Sequence, residues 1–275
     1  MTAIHHMLAG LVTLTASAIG RAGDAPPAIV QTYDITSNTF PDSCVLPAEA
    51  FDDFGGDRRL DAMTLQIDGH VELEFSFEND TEETLANAAM LLAGFGLARY
   101  EANVAQISFN SLTIPSAPIA PTDGVPGSGR DYWEGTLQAT QMSATTITGP
   151  PLTAVTNATS VPIDLLLNPL PLPSAGLPSP PTIESLTFDG TVRLTYEYSC
   201  TNDCPADIAP VSESGEVGNG IINVDDLLTV IQAFGTSADR PDVSPSNADC
   251  SIGNGIVGID DILVVIISFG SCESP

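Results

Sequence analysis

Residues 219–235 read Asn-Gly-Ile-Ile-Asn-Val-Asp-Asp-Leu-Leu-Thr-Val-Ile-Gln-Ala-Phe-Gly, and residues 254–270 repeat the pattern 35 positions later. In the first copy the apolar residues Val224, Leu227, Leu228, Ile231 and Phe234 form one stripe of an amphipathic helix, and in the second Ile259, Ile262, Leu263, Ile266 and Phe269 do the same. Each helix opens on paired carboxylates, Asp225 and Asp226 or Asp260 and Asp261, where the positive end of the helix dipole favours them, and stops at Gly235 or Gly270. Two short helices that cannot bury a stripe alone are expected to pack stripe against stripe. Thr229, Gln232 and Ser268 would then face solvent.

The residues before each helix match the second half of an EF-hand-type calcium loop, which needs an oxygen, then Gly, then a backbone carbonyl, a polar side chain two residues on and a closing carboxylate. In the first copy these are Asn219, Gly220, Ile221, Asn223 and Asp226. In the second they are Asn254, Gly255, Ile256, Gly258 and Asp261, so a side-chain ligand is missing at Gly258. Asn219, the Ile221 carbonyl, Asn223, Asp226, Asn254, the Ile256 carbonyl and Asp261 are therefore the candidate calcium ligands. The lead-in Cys204-Pro205-Ala206-Asp207 and the run Asn223 to Leu228 resemble the dockerin type I module, in particular the dockerin-like tails of secreted planctomycete-type bacterial proteins. The resemblance covers roughly residues 204–272. It implies a pair of loop-helix units, calcium as the cofactor and a cohesin-like or cell-surface protein as the partner. The chain departs from that pattern where the first half of each loop should supply oxygens, since Gly215, Val217, Cys250 and Ile252 stand there. Further ligands would have to come from Asp207, Glu213 or Glu216, and from Asp249 in the second copy. An aspartate-capped helical hairpin without metal is the alternative.

Met1 to Gly23 has a polar start, an apolar run from Met7 to Ile19 and small residues at Ala16 to Ala18 and Ala22 to Gly23, the pattern of a secretory signal peptide. The apolar run is too short to span a bilayer, so no transmembrane segment is expected in the mature chain. There are 35 acidic residues against seven arginines and no lysine, a formal net charge of −28. That balance argues against nucleic acid and anionic membrane surfaces as partners. Of the five cysteines, two disulfides and one leftover thiol are expected in an oxidising compartment. Cys250 with Cys272 is the first choice, and Cys44 with Cys200 or Cys204 the second.

Residues 28–199 read as one all-β domain, an antiparallel sandwich. Met63, Leu65 and Ile67 alternate with polar residues, Asp68-Gly69 follows, and Val71, Leu73, Phe75 and Phe77 alternate again. The figure returns as Leu186, Phe188, Asp189-Gly190, Val192, Leu194, Tyr196 and Tyr198. Each Asp-Gly is read as a bulge within one long strand rather than a hairpin turn. Further strands are expected at 29–36, 105–114 and 133–148, with proline-rich connections at 115–126 and 162–181, where proline density excludes central strand. The run from Leu85 to Leu97 fits helix or strand. Leu46-Pro47, Phe51-Asp52, a Gly at 55 or 56, the run Met63 to Gly69, Glu78-Asn79 and the run Val192 to Tyr198 resemble the choice-of-anchor E domain, over roughly residues 28–199. That resemblance implies an exported bacterial β-domain with no assigned catalytic residue, followed by an anchoring or sorting signal.

Catalysis finds little footing. A hydroxyl or thiol nucleophile needs a histidine base, and His70, the one histidine beyond the leader, sits in an alternating strand. The sequence thus predicts a non-catalytic exported β-domain with a docking tail. The rival is a carbohydrate-binding accessory protein of a polysaccharide-degrading system, in which Tyr132 and the lone Trp133 would form the sugar platform.

Overall fold

Alternation of apolar and polar residues governs most of this chain. The computed structural model describes residues 8–17 (backbone only), 27–53, 56, 58–174, 177–201, 204–209, 218–238, 241–244, 250 and 252–272. It is mainly β, with two antiparallel sheets and two short helices, consistent with the sandwich expected from sequence. Leu8–Ser17, Ala28–Ser37, Arg58–Glu78, Tyr132–Ile147 and Thr182–Cys200 are strands β1, β2, β4, β7 and β9, arranged in the order β1-β2-β9-β4-β7. Asp42–Ala48, Met90–Tyr100, Asn103–Thr113 and Val161–Pro173 are β3, β5, β6 and β8, in the order β3-β8-β5-β6. The segment read as a signal peptide contributes only β1 to this description; the rest of it lies outside the described residues.

Strand β4 pairs with β7 without a slip from Met63↔Ile147 to Glu78↔Tyr132, and the pairing continues through Asp68↔Met142 and Gly69↔Gln141. The long strand was expected; the bulge at Asp68-Gly69 is absent from this register. The glycines of the two Asp-Gly pairs also meet a packing need. A Cβ on Gly69 would strike the Phe188 ring, and one on Gly190 would strike the Asp68 carbonyl and the Gly69 Cα. The two glycines let neighbouring strands and a core phenylalanine approach closely, and Thr191 Oγ1 donates to Asp68 Oδ2 at 2.7 Å beside them. Phe188 meets Phe109 of β6 edge to face at 6.3 Å, a contact between the two sheets. Met63, Leu65, Ile67, Val71, Leu73, Leu92, Ile107, Ile163, Leu194 and Tyr196 fill the core, each large side chain contributing about 1.5–3 kcal/mol by leaving water.

One open reading is resolved and one expectation is corrected. The run from Leu85 to Leu97 enters strand β5 at Met90, because pairing with β6 on one side and β8 on the other outweighs the helix preference of its alanines and leucines. Residues 162–173, expected as a connection, belong to β8, which is a central strand. Proline is tolerated there because the two pairings of β8 overlap only partly. β3 pairs with residues 161–167 and β5 with residues 164–173, so Pro162, Pro169, Pro171 and Pro173 all lie where one side is open. The doubly paired stretch, Asp164 to Leu167, contains no proline.

One buried polar cluster is fully satisfied. Gln31 Nε2 donates to the Glu49 carbonyl at 2.9 Å, Gln31 Oε1 accepts from Glu49 N at 2.9 Å and from the Tyr33 hydroxyl at 2.7 Å, and Tyr196 donates to the Glu49 carbonyl at 2.7 Å. Burial raises the Tyr33 hydroxyl above the ordinary tyrosine range and the Tyr196 hydroxyl further, so both remain donors.

The chain divides into two compact units, one built on Ile29–Phe51 and Ala62–Tyr196, the other including Asp52–Asp61 and Glu197–Pro275. In the second unit Val224–Ala233 is α1, Ile259–Ile267 is α2, and the short strands Ile221–Ile222 (β10) and Gly270–Ser271 (β11) pair antiparallel. The disulfides are Cys200–Cys250 and Cys204–Cys272, with Cys44 free, so the expected count holds and both expected pairings are corrected. Burial, and then the neighbouring Asp42 carboxylate, raise the Cys44 thiol above its ordinary range.

Non-reducing peptide mapping should recover Cys200 joined to Cys250 and Cys204 joined to Cys272, with iodoacetamide labelling Cys44 alone and slowly at pH 8. Gly190→Ala is expected to cost about 2–3 kcal/mol in urea denaturation, against less than about 0.5 kcal/mol for Thr140→Ala on the exposed face of β7.

Candidate functional site

The duplicated tail is held by carboxylates that gather backbone N–H groups. Asp226 is fully buried at the third position of α1. Its Oδ1 accepts from Ile208 N and Ala209 N, both at 2.8 Å, and its Oδ2 from Asn223 N at 2.8 Å. Asp261 repeats this on α2, with Val243 N at 2.7 Å, Ser244 N at 2.8 Å and Gly258 N at 2.6 Å. A second carboxylate in each copy closes the loop. Asp207 receives Asn219 N at 3.0 Å and Gly220 N at 2.6 Å, and Asp242 receives Asn254 N at 3.0 Å and Gly255 N. Each such bond to a charged acceptor is worth about 1.5–3 kcal/mol.

The copies are also latched to one another. Gly235 N donates to Val257 O at 2.8 Å and Val257 N to Thr236 O at 2.9 Å, so the loop of the second copy pairs with the segment after α1. The mirror arrangement pairs Ile221 and Ile222 with Ser271 and Gly270, after α2. Between them Ala206, Ile208, Ile222, Val230, Val243, Val257 and Val265 form a small core, with Leu227 and Ile262 against it.

The candidate calcium ligands are brought into this frame as follows. Asn219 Oδ1 accepts from Ile221 N at 3.0 Å and Asn254 Oδ1 from Ile256 N at 3.1 Å. Asn223 Oδ1 caps α1 by accepting from Asp225 N at 2.8 Å, and its Nδ2 donates to the Ile221 carbonyl at 3.1 Å. Asp226 and Asp261 are committed to three N–H donors each. The side-chain oxygens of this set thus face the positive ends of N–H dipoles, which makes a hydrogen-bonded clasp rather than a set of free cation ligands. Glu213, Glu216 and Asp249 lie outside the described residues. Cys204, Asp207 and Cys272 bring potential ligand atoms together, but both sulfurs are spent in a disulfide. Asp242 was missed in the sequence; its spacing of 35 from Asp207 was the available signal.

The stripes face the other way from expectation. Of each five residues only Leu227 and Ile262 pack on the core. Val224, Leu228, Ile231 and Phe234, and Ile259, Leu263, Ile266 and Phe269, are between 44% and 69% exposed. The helices bury instead the face that carries Asp226 and Val230 or Asp261 and Val265. The tail thus presents the same apolar row twice, flanked by Ile221 and Ile256, which are also exposed.

In the first unit, Trp133 is only 9% exposed and stacks edge to face on Phe75 at 4.9 Å, which makes it part of the core. Tyr132 lies half-buried between two surface cavities of about 640 and 430 Å3, one rimmed by Glu74, Ser76, Glu134 and Glu184, the other by Pro115, Pro118 and Arg130. His70 Nδ1 lies 2.9 Å from Thr140 Oγ1, and its Nε2 lies 3.7 Å from Glu72, beyond hydrogen-bond reach. Glu72 instead accepts from Gln138 Nε2 at 2.8 Å. This hydroxyl, imidazole and carboxylate share the solvent face of a sheet.

No protein-family model, curated protein or solved structure matches this chain.

Asp226→Asn and Asp261→Asn should each destabilise the tail by about 2–4 kcal/mol, since an amide puts an NH2 where an acceptor is required. The readout is helix loss by circular dichroism under thermal unfolding. Chelation of calcium is expected to leave that transition unmoved.

Proposed function

We propose that this is an exported, non-catalytic β-domain protein tethered outside the cell through its C-terminal module, in the manner of a choice-of-anchor E-like domain followed by a dockerin-like tail. The observation that carries the reading is the twice-repeated outward apolar row on α1 and α2. Exposed leucine, isoleucine, valine and phenylalanine at helical spacing cost solubility unless a partner covers them. A helix face of this kind recognises an apolar groove or sheet face, so the partner is a cohesin-like or cell-surface protein with a complementary apolar surface. Two disulfides suit an oxidising destination, and among the described residues no helix is long and apolar enough to cross a membrane. The acidic surface keeps the chain soluble and away from anionic polymers. The carbohydrate-binding alternative would use the cavity that Tyr132 lines together with the largely buried Trp133.

The test is surface association in the producing cells. Leu228→Asp with Leu263→Asp should release the protein into the medium while leaving far-UV circular dichroism and melting unchanged, because both residues are solvent-facing. Equal retention of the double variant at the surface would sink the docking role of these helices.

A further inference from the structure

The turn between residues 121 and 131 of the β-domain is built around an inward-pointing carboxylate that has no cationic partner among the described residues. Asp131 has no exposed surface. Its main-chain carbonyl accepts from Asn79 N at 2.9 Å, and its Oδ2 accepts from Asp123 N at 2.7 Å. Its Oδ1 is buried and meets no hydrogen-bond donor. A buried carboxylate oxygen left bare costs several kcal/mol unless something positive reaches it.

A second carboxylate converges on the same place. Asp123 Oδ1 accepts from Val125 N at 2.8 Å, and its Oδ2 turns toward Gly129. A Cβ on Gly129 would lie 2.5 Å from Asp123 Oδ2 and 2.6 Å from Asp131 Oδ1, so the two carboxylates converge against the Gly129 Cα, an approach that a side chain at residue 129 would block. Gly129 also sits at φ +96°, outside the range of other residues. The turn is fixed to the sheet by Gly127 N, which donates to Glu78 Oε2 at 2.6 Å. Among the described residues Arg59 pairs with Asp61 and Arg99 with Asp164, and no described arginine forms an ion pair with Asp123 or Asp131. The chain has no lysine to do so.

We propose that Asp123 and Asp131 bind a calcium ion in this turn. Hard carboxylate oxygens, without nitrogen or sulfur ligands, select calcium over transition metals, and water with loop carbonyls completes its six to eight oxygens. The site differs from the tail, where every described carboxylate oxygen of the clasp already has its N–H donors. It is also independent of the docking role, since it lies in the other unit and uses none of its residues.

The lone tryptophan supplies the assay. Trp133 is two residues from Asp131, and residues 204–272 contain neither tryptophan nor tyrosine. Terbium, a calcium surrogate, is titrated into the full chain with excitation of Trp133. Wild type should give saturable sensitised emission that calcium displaces, and Asp123→Asn and Asp131→Asn should each weaken the apparent affinity at least tenfold. Absence of saturable, calcium-displaced emission from wild type would overturn the proposal and leave the site to water. Unchanged affinity in the variants would overturn it equally. Should Asp131→Asn lose its fold, as judged by circular dichroism, Asp123→Asn alone decides, because Asp123 is exposed.

Discussion

A carboxylate turned inward to collect backbone N–H groups is the interaction on which the tail depends. Asp226 and Asp261 each bind the start of their own helix to a strand of chain 17 or 18 residues earlier, and Asp207 and Asp242 close the loops between. A helix N-terminus leaves several N–H groups without partners, and one negative charge answers some of them while its field is reinforced by the helix dipole. In a module whose described core cluster holds seven buried residues, these charge-assisted bonds and two disulfides supply the order that a small apolar core cannot. The same chemistry, left incomplete at Asp131, is what makes the turn of the β-domain a candidate ion site.

Much of the sandwich was legible because burial on one face writes itself as alternation. β4 and β9 could be read from Met63 to Phe77 and from Phe188 to Tyr198, and β2, β6 and β7 fell within a few residues of their expected ends. β5 resisted because alanine, leucine and glycine carry no strand preference of their own. β8 resisted because proline is read as a breaker without knowing which of its neighbours are missing, and that is a property of the finished sheet.

The site was less legible for a related reason. The tail helices are apolar on two faces, and periodicity reports the stronger stripe without saying whether it faces a core or a partner. The true core face carries an aspartate, which a hydrophobic pattern counts as polar and therefore outward. Nothing in residues 121–131 announces that Asp131 is buried, since glycine, proline and aspartate together read only as a loop.

The cross-link from Cys200 to Cys250 sets a load path. If a partner grips α2 while the β-domain is pulled away, tension passes from the end of β9 across the sulfur bridge and into the chain just ahead of that helix. The 49 residues between the two cysteines, including α1, are bypassed, which withholds about 170 Å of extensible chain from the pulling force. The tether therefore behaves mechanically as a short rigid link for as long as its surroundings remain oxidising.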